Sequence, residues 1–327
     1  MTKETRIFAI GASSGGYKAV KKILSDVPTG LNAVYFVVVH TSFNASGSFA
    51  DSLEKKIELP VKKAKDHMEI ELDTVYIAKP NYHLFIREDK ILLSKGPREN
   101  LFRPSIDVLF RSVAVAFKNR SVGILLTGRL NDGTNGLDAI RQCGGIIIIE
   151  NPATAEFQDM PLFAQQTLPI DYTVNLEDMA GVIQKVTQEA LPQAKAVPQS
   201  ISRENEIAMR IKSQVRLQKD IGYQVPMGCA ECGGPLWKIE NSNPERYRCH
   251  VGHSFTQEAL LECQEKSLEE ALWVSIRTLE EKKVLLDRME NEYKRKGMTS
   301  LSESYADKVE EVKEHIKNIK AVLQLND

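Results

Sequence analysis

The chain has 327 residues, which predicts two domains or one large domain with an appendage, and its 42% hydrophobic and 27% charged residues are typical of folded globular proteins. Lysine and arginine number 43 and aspartate and glutamate 44, so the net charge of −1 gives no support for binding to nucleic acid or to an anionic membrane surface. Apolar runs such as 33–39 and 146–149 are too short to span a bilayer, and the polar start lacks a signal-peptide core, so we expect a cytoplasmic protein that is not inserted in a membrane.

The first 190 residues alternate segments with strand and helix patterns. Residues 34–39 are apolar at every position, which is typical of a strand that is covered on both faces. Short β-prone runs at 75–78, 84–87 and 91–93 predict an antiparallel excursion. The alternation predicts an α/β fold with a doubly wound, mostly parallel, Rossmann-like sheet. Strands are predicted over 6–10, 34–39, 122–126 and 146–149, and helices over 15–24, 49–57, 105–117, 137–142 and 176–187.

The remainder of the chain has a different character. Two prolines among Gln and Ser residues predict a linker over 191–204, and a short helix is predicted over 207–217. From residue 256 onward, apolar residues recur every seven residues and then with 4-3 spacing, with an interruption at Gly297. This pattern predicts an antiparallel helical hairpin with a coiled-coil seam. We favour packing of the two stripes on each other over a dimer or partner seam.

A glycine-rich turn follows the first predicted strand, in the segment Gly11-Ala-Ser-Ser-Gly-Gly16. Glycine is common in any tight β–α turn, and the spacing differs from the dinucleotide-binding pattern. No acidic residue ends the second strand, where His40 stands instead. Ser13 on such a turn has a hydroxyl raised above the sheet edge, where neighbouring amides can hold an oxyanion, so Ser13 is a candidate nucleophile.

A serine nucleophile needs a base and a group that orients the base. His40 ends the second strand and Asp132 follows the strand 122–126, so both lie at the carboxyl edge of the predicted sheet with Ser13. These three residues therefore form a candidate Ser-His-Asp triad. The alternatives are that Asp132 is a turn residue before Gly133 and that His40 is a helix cap or a core histidine.

Several motifs of residues 6–187 occur in a fixed order: Gly11–Gly16, His40 at its strand end, Tyr76-Ile-Ala, Arg103-Pro-Ser-Ile-Asp-Val-Leu-Phe110, Leu126-Thr-Gly, Asn131-Asp-Gly133 and Met160-Pro161. Taken together and in this order, they resemble the bacterial chemotaxis protein-glutamate methylesterases (CheB). The resemblance implies that Ser13 attacks a glutamate γ-methyl ester, that His40 is base and then acid, and that Asp132 orients the imidazole. It also implies a methylated chemoreceptor-like protein as substrate, no cofactor for catalysis, and glutamine deamidation as a further activity. The Ser14 amide, which follows the nucleophile, is the expected oxyanion donor.

The sequence departs from the family pattern at three places. Thr41 and Ser42 follow the histidine, Arg129 and Leu130 replace Met-Gly in the loop after Thr-Gly, and Asp159 replaces a glycine before Met-Pro. The Arg129 change borders the site and is expected to alter the oxyanion pocket or substrate fit. The catalytic motif begins almost at the first residue, so we expect no receiver domain and no control by phosphorylation in cis.

Five cysteines are present, and the odd number argues against a disulfide framework. Cys229, Cys232 and Cys249 have the spacing of a zinc knuckle, with His253 or His250 as the fourth ligand. We prefer His253, because Gly252 helps the chain turn back. A structural Zn²⁺ is expected, since about thirty residues cannot bury enough core alone; the alternative is a reduced cluster without metal. Some stand-alone members of the resembled family carry a similar tail.

The predicted organisation is therefore a catalytic domain (1–190), a linker (191–204), a short helix with a zinc-ribbon-like module (205–255) and a helical hairpin (256–327). The alternative function is an altered esterase-fold scaffold that binds signalling partners through its zinc module and helices. A nucleic-acid-binding ribbon is disfavoured, because no basic stripe is present. His83, on the predicted excursion, is more probable in the core or at the surface than beside the site.

Overall fold

The structure is a computed structural model that describes residues 4–40, 46–209 and 222–323. It forms two compact units, Met1–Leu260 and Leu261–Asp327. A seven-stranded sheet organises the first unit, and every neighbouring pair of its strands is parallel. In chain order its strands are β1 (Arg6–Ala12), β2 (Ala33–Val39), β3 (Val61–Lys63), β5 (Val75–Ile77), β8 (Ser121–Leu125), β9 (Ile146–Glu150) and β10 (Tyr172–Val174). Their spatial order is β10-β9-β8-β1-β2-β5-β3.

Helices cover both faces of this sheet, which confirms the predicted doubly wound α/β architecture. Side chains alternate along β1: Ile7 and Ala9 join the core on one face, and Phe8 and Ile10 the core on the other. The first core includes apolar residues of α3 (Ile106–Phe117), α4 (Thr134–Gln142) and α5 (Asp159–Thr167). The second includes residues of α1 (Gly16–Asp26), α2 (Ser46–Glu54) and α6 (Met179–Gln188). Two-faced burial explains why the central strands are apolar at nearly every position.

The prediction of an antiparallel excursion from residue 75 was wrong for its first strand. β5 pairs in parallel with β2 and with β3, and its three residues are all buried. A central strand of a parallel sheet is covered on both faces, so its consecutive residues are all buried. Closeness in sequence to the strands that follow does not determine which strands pair. The antiparallel sheet consists of β4 (Met68–Glu69), β6 (His83–Arg87) and β7 (Lys90–Ser94), in the order β4-β7-β6.

A helix rather than an irregular segment occupies the second half of the predicted linker. This helix, α7 (Gln199–Ala208), buries Ile201, Glu204 and Ile207. Its stability comes from tertiary contacts that the local pattern does not reveal. The remainder of the short helix predicted over 207–217 lies mostly outside the described residues.

The cysteines lie on a second, four-stranded antiparallel sheet within the first unit. Its strands, in spatial and chain order, are β11 (Gly222–Gly228), β12 (Pro235–Ile239), β13 (Arg246–Cys249) and β14 (Ser254–Thr256). Cys229 and Cys232 lie between β11 and β12, while Cys249 and His253 flank the turn between β13 and β14. The topology thus brings the two turns, one between β11 and β12 and the other between β13 and β14, to one place.

Two long helices follow this sheet, α8 (Gln257–Arg295) and α9 (Thr299–Val322). Within the second unit, Leu286 of α8 packs in one cluster with Val309 and Val312 of α9. The rings of Tyr293 and Tyr305 stack at 5.4 Å beside the Gly297 turn. These contacts are those of a helical hairpin; the coiled-coil seam stays a prediction.

Among the described residues, no helix has the length and apolar character needed to cross a membrane. The cytoplasmic location stays a prediction.

Candidate active site

Ser13 and His40 follow paired residues of adjacent strands. In the β1–β2 ladder Ala12 lies opposite Val39, and the backbone N–H of His40 donates to the carbonyl oxygen of Ala12 at 3.0 Å. Adjacent strands lie about 4.8 Å apart. The register therefore brings the two residues to neighbouring positions at the carboxyl edge of the sheet.

The turn that carries Ser13 is shaped by small residues. Gly15 has a φ of 77°, a left-handed conformation that glycine adopts without steric cost. A Cβ on Gly16 would lie 2.6 Å from Cβ of Ala12, so α1 begins close against the strand end only because residue 16 is glycine. The N–H of Ser13 donates to the carbonyl oxygen of Thr127 at 3.0 Å, which fixes the turn to the next strand end.

The His40 ring is held in one orientation. Its Nε2 lies 2.9 Å from Oδ2 of Asp132, and its side chain is only 4% exposed. The ring of Phe102 stacks on it with a centroid distance of 3.6 Å and an interplanar angle of 8°. Nδ1 is buried, and no hydrogen-bond partner for it is present among the described residues. The ring nitrogen opposite the carboxylate is thus available to accept a proton.

Asp132 is fully buried at the N-terminus of α3. Its carboxylate accepts hydrogen bonds from the N–H of Ile106 at 2.7 Å and from Oγ of Ser105 at 2.9 Å. Helix N-termini offer unpaired N–H groups and a favourable dipole for an anion. Burial alone would raise the pKa of Asp132, but the hydrogen bond and charge of His40, with further bonds from Asn100 and Ile106, lower it below its usual value. Asp132 is therefore an anion that faces His40.

A second buried carboxyl group, Asp107, shapes the loop that carries Asp132. Its Oδ1 accepts from the N–H of Gly133 at 3.0 Å and from that of Gly136 at 2.7 Å. Burial and the charge of Asp132 raise the pKa of Asp107 to about 7. The amide of Asn100 donates to both carboxyl groups, at 2.7 Å to Asp107 and 3.0 Å to Asp132.

The Thr127-Gly128 segment forms a wall beside Ser13. A Cβ on Gly128 would lie 2.7 Å from Cβ of Ser13 and 2.1 Å from Sδ of Met160. The N–H of Met160 donates to the carbonyl oxygen of Gly128, and the N–H of Gly128 to that of Phe157. Any side chain at position 128 would clash with Met160. This close contact gives a physical reason for the Leu126-Thr-Gly and Met160-Pro161 motifs.

Arg129 and Leu130 lie in the loop after Gly128, whereas His83 lies on β6. Arg129 is exposed at the rim with its guanidinium 5.2 Å from the Phe157 ring, and Leu130 adopts a φ of 64° in the same loop. His83 is buried: its Nε2 donates to the carbonyl oxygen of Pro97, and its Nδ1 accepts from the N–H of Ser105. It thus supports a residue that binds Asp132. Thr41 and Ser42 lie outside the described residues.

Two residues of this site, Asn100 and Phe102, were not predicted from the sequence. Phe102 and Asn100 lie in an irregular segment before α3, where no periodic pattern points to a role. Both precede the Arg103-Pro104-Ser105 motif, and proximity to it was the only signal in the sequence.

A family model described as CheB methylesterase matches residues 8–183. The chain belongs to the CheB methylesterase family. The match covers the parallel sheet and includes Ser13, His40 and Asp132.

Curated relatives have names from the same family. A Leptospira interrogans protein, provisionally named protein-glutamate methylesterase/protein-glutamine glutaminase, is 38% identical over 185 residues, which are 56% of this chain and 96% of the relative. A Clostridium acetobutylicum protein-glutamate methylesterase/protein-glutamine glutaminase is 35% identical, with 55% of this chain and 52% of the relative covered. The crystal structure of the Thermotoga maritima CheB methylesterase catalytic domain matches with a TM-score of 0.54 and 28% identity, over 56% of this chain and 98% of that domain.

A cluster of metal-ligand type lies outside the region that matches the family. One ligand atom each from Cys229, Cys232, Cys249 and His253 lies within 4.8 Å of all the others. The Cys232 and Cys249 sulfurs are 3.7 Å apart, and Nδ1 of His253 is 3.7 Å from Sγ of Cys229 and 3.5 Å from Sγ of Cys249. Hydrogen bonds from Cys229 and from His253 lower the pKa of the Cys249 thiol below its ordinary value. The cluster contains His253 and not His250.

Proposed function

We propose that this chain hydrolyses γ-methyl esters of glutamate residues in a protein, with Ser13 as nucleophile, His40 as base and acid, and Asp132 as the group that orients the imidazole. The observation that carries the proposal is the buried His40–Asp132 pair, which leaves Nδ1 of His40 without a hydrogen-bond partner among the described residues, on a residue that adjoins Ser13 in the β1–β2 register. Membership of the CheB methylesterase family supports the reaction class.

The first half of the reaction forms an acyl-enzyme. Nδ1 of His40 takes the proton from Oγ of Ser13 as Oγ attacks the ester carbonyl carbon. Asp132 stabilises the imidazolium that results and keeps the remaining proton on Nε2. Because the N–H of Ser13 is bonded to Thr127, the N–H of Ser14 is the donor we assign to the oxyanion.

The second half releases the products. The imidazolium gives its proton from Nδ1 to the methoxide oxygen, and methanol leaves as the carbonyl re-forms. Water then gives a proton to Nδ1 and attacks the acyl carbon, after which Ser13 recovers its proton and the glutamate carboxylate is released. The same steps with an amide nitrogen as leaving group convert glutamine to glutamate and ammonia, as the names of the relatives suggest.

The proposed substrate is a methylated receptor protein of chemotaxis type. No cofactor takes part in these steps. The chain spans nearly the whole Leptospira relative but only about half of the Clostridium relative, so the receptor itself is assigned here from the family and not from a full-length match.

We also propose that Cys229, Cys232, Cys249 and His253 hold a structural Zn²⁺ in a zinc-ribbon-like module. In a tetrahedral site with ordinary bond lengths, two sulfurs are about 3.8 Å apart and a sulfur and a nitrogen about 3.6 Å. The observed separations of 3.7, 3.7 and 3.5 Å fit this geometry. Three thiolates and one imidazole fill the coordination sphere, so the ion would supply stability rather than hydrolysis.

The test is methanol release from a receptor fragment with labelled γ-methyl esters. We expect release by the unmodified chain and loss of release in Ser13→Ala. Ser25→Ala is the matched control, because Ser25 is an exposed serine further along α1. Equal release by Ser13→Ala and Ser25→Ala would refute the serine mechanism. No release by the unmodified chain would favour a scaffold that only binds partners.

A further inference from the structure

The strand β14 of the cysteine-bearing sheet lies against residues 98–100, and Asn100 in this segment donates a hydrogen bond to Asp132. The N–H of Asn100 donates to the carbonyl oxygen of Ser254 at 2.8 Å, and the N–H of Ser254 donates to the carbonyl oxygen of Arg98 at 3.3 Å. Thr256 then donates its N–H to Oδ1 of Asn100 at 3.1 Å. Backbone and side chain of Asn100 are thus both held by β14.

The side-chain amide of Asn100 has a single orientation that satisfies its partners. One amide carries two N–H groups, which go to Asp107 and Asp132, while its oxygen accepts from Thr256. The reverse orientation would point the amide oxygen at two carboxyl groups and the NH₂ group at a backbone N–H. Thr256 therefore helps to determine which atom of Asn100 faces Asp132.

A parallel connection joins β14 to the residue next to Asp132. Oγ1 of Thr256 donates to Oδ1 of Asn131 at 2.9 Å, and Nδ2 of Asn131 donates to Oε2 of Glu258 at 2.8 Å. The loop that carries Asp132 is thus bonded to the cysteine-bearing sheet on two sides.

A buried ionic cluster fixes this sheet to the catalytic core. Arg246 and Arg248 of β13 donate to Glu204 of α7, and Arg248 also donates to Glu99, the residue before Asn100. Arg111 of α3 donates to the same two glutamates. All five side chains are buried. An unpaired buried charge is strongly unfavourable, so these ion pairs stabilise the contact between the cysteine-bearing sheet and the catalytic core.

We propose that Asn100 is a positioning residue for Asp132 and that β14 sets its position, so that the cysteine-bearing sheet is a working part of the esterase site. The inference rests on the proposed function, because it assigns Asn100 an effect on the reaction through Asp132 and His40. Metal bound by the cysteine cluster would hold Cys249 and His253 at the two ends of the turn between β13 and β14, and it would then control turnover.

The first test is Asn100→Gly. Asn100 has a φ of 49°, which glycine adopts without strain, so this change removes the side chain alone. Loss of a hydrogen bond to a charged group corresponds to about a tenfold to hundredfold fall in rate. We expect kcat per folded molecule for methanol release to fall by this factor, with KM unchanged because Asn100 is buried.

Asn243→Gly is the matched control. The amide of Asn243 also joins the cysteine-bearing sheet to the catalytic core, since it donates to the carbonyl oxygen of Thr167 at 3.1 Å, but the partner is on α5. We expect unchanged kcat and KM. An unchanged kcat in Asn100→Gly, or an equal fall in both variants, would overturn the proposal.

Zinc removal from the unmodified full chain gives a second test, which stands even if Asn100→Gly does not fold. We expect chelation to lower kcat at constant KM and added Zn²⁺ to restore it. In Asn100→Gly, chelation should lower kcat by a smaller factor, because the connection through Asn100 is already lost and only the one through Asn131 remains. Full activity without zinc, or fully multiplicative effects, would contradict the proposal. An inactive unmodified chain would instead refute the proposed function.

Discussion

His40 contacts Asp132 through Nε2, so the nitrogen that faces the nucleophile in our mechanism is Nδ1. In the serine-protease arrangement the two nitrogens have the opposite roles. The difference follows from position: His40 directly follows β2, with its backbone bonded to Ala12, and Asp132 lies deeper at the start of α3. The roles require only that one nitrogen faces an acceptor and the other a hydroxyl.

Asp132→Asn tests the tautomer that this arrangement imposes. An asparagine amide that donates to Nε2 would place the ring proton on Nδ1, where it cannot accept from Ser13. We expect kcat for methanol release to fall about 10⁴-fold, as in other triads. A fall of less than tenfold in a variant that retains its melting temperature would contradict the assigned role.

Gly128→Ala tests the wall beside Ser13. The new Cβ would lie 2.1 Å from Sδ of Met160 and 2.7 Å from Cβ of Ser13, so one of these groups must move. We expect at least a tenfold loss of kcat/KM, because displacements of about 1 Å at a reacting group are costly. The matched control is Gly181→Ala on α6, where a Cβ meets nothing within 4 Å. Wild-type activity in both variants would show that the wall does not constrain Ser13.

The start of α3 is the element around which the site is built. Asp132 accepts the N–H of Ile106, the first residue of α3. His83 of β6 accepts the N–H of Ser105, the residue before the helix. A carboxylate from a distant loop thus takes the place of a local helix cap, and the helix in turn provides donors for that carboxylate.

His83 makes this arrangement dependent on pH. Burial lowers the pKa of His83 from 6.5 to about 4, and the nearby charge of Arg103 acts in the same direction. In the folded chain Nδ1 accepts from the N–H of Ser105, which requires that this nitrogen is unprotonated. The unfolded chain therefore binds this proton more readily, and stability that is present above pH 6.5 is lost as the pH falls toward 4. The contribution is about 3 kcal/mol.

His83→Gln should remove this dependence, because glutamine does not titrate. Chemical denaturation at pH 7, 6, 5 and 4 would measure the free energy of unfolding of both proteins. We expect the wild-type curve to fall more steeply than that of the variant below pH 6.5. Parallel curves would show that His83 protonates equally in the folded and unfolded states.

The sequence predicted those features of the molecule that depend on burial of a strand on both faces. Four central strands and the edge at which Ser13, His40 and Asp132 emerge follow from apolar runs and from strand–helix alternation. β5 was assigned to the wrong sheet because three residues contain too little pattern to reveal a partner. The family resemblance of residues 6–187 was confirmed by a family model that matches residues 8–183.

The support of the site was not predictable in the same way. The bond between Asn100 and Thr256 joins residues 156 positions apart, and neither has a pattern that points to the other. Glu204 lies in a segment predicted as linker, yet it binds arginines of two other elements. These contacts depend on how the chain packs in three dimensions, so they cannot be predicted from local periodicity.

The central claim is that Ser13 forms the covalent bond to the substrate, and labelling with a fluorophosphonate tests it most directly. Such reagents phosphonylate a serine that is activated by a neighbouring base. We predict one adduct per chain, located on Ser13 by peptide mass spectrometry, with loss of methanol release in proportion to labelling and no adduct in His40→Ala. An adduct on another residue that abolishes release, or equal labelling of His40→Ala, would contradict the account.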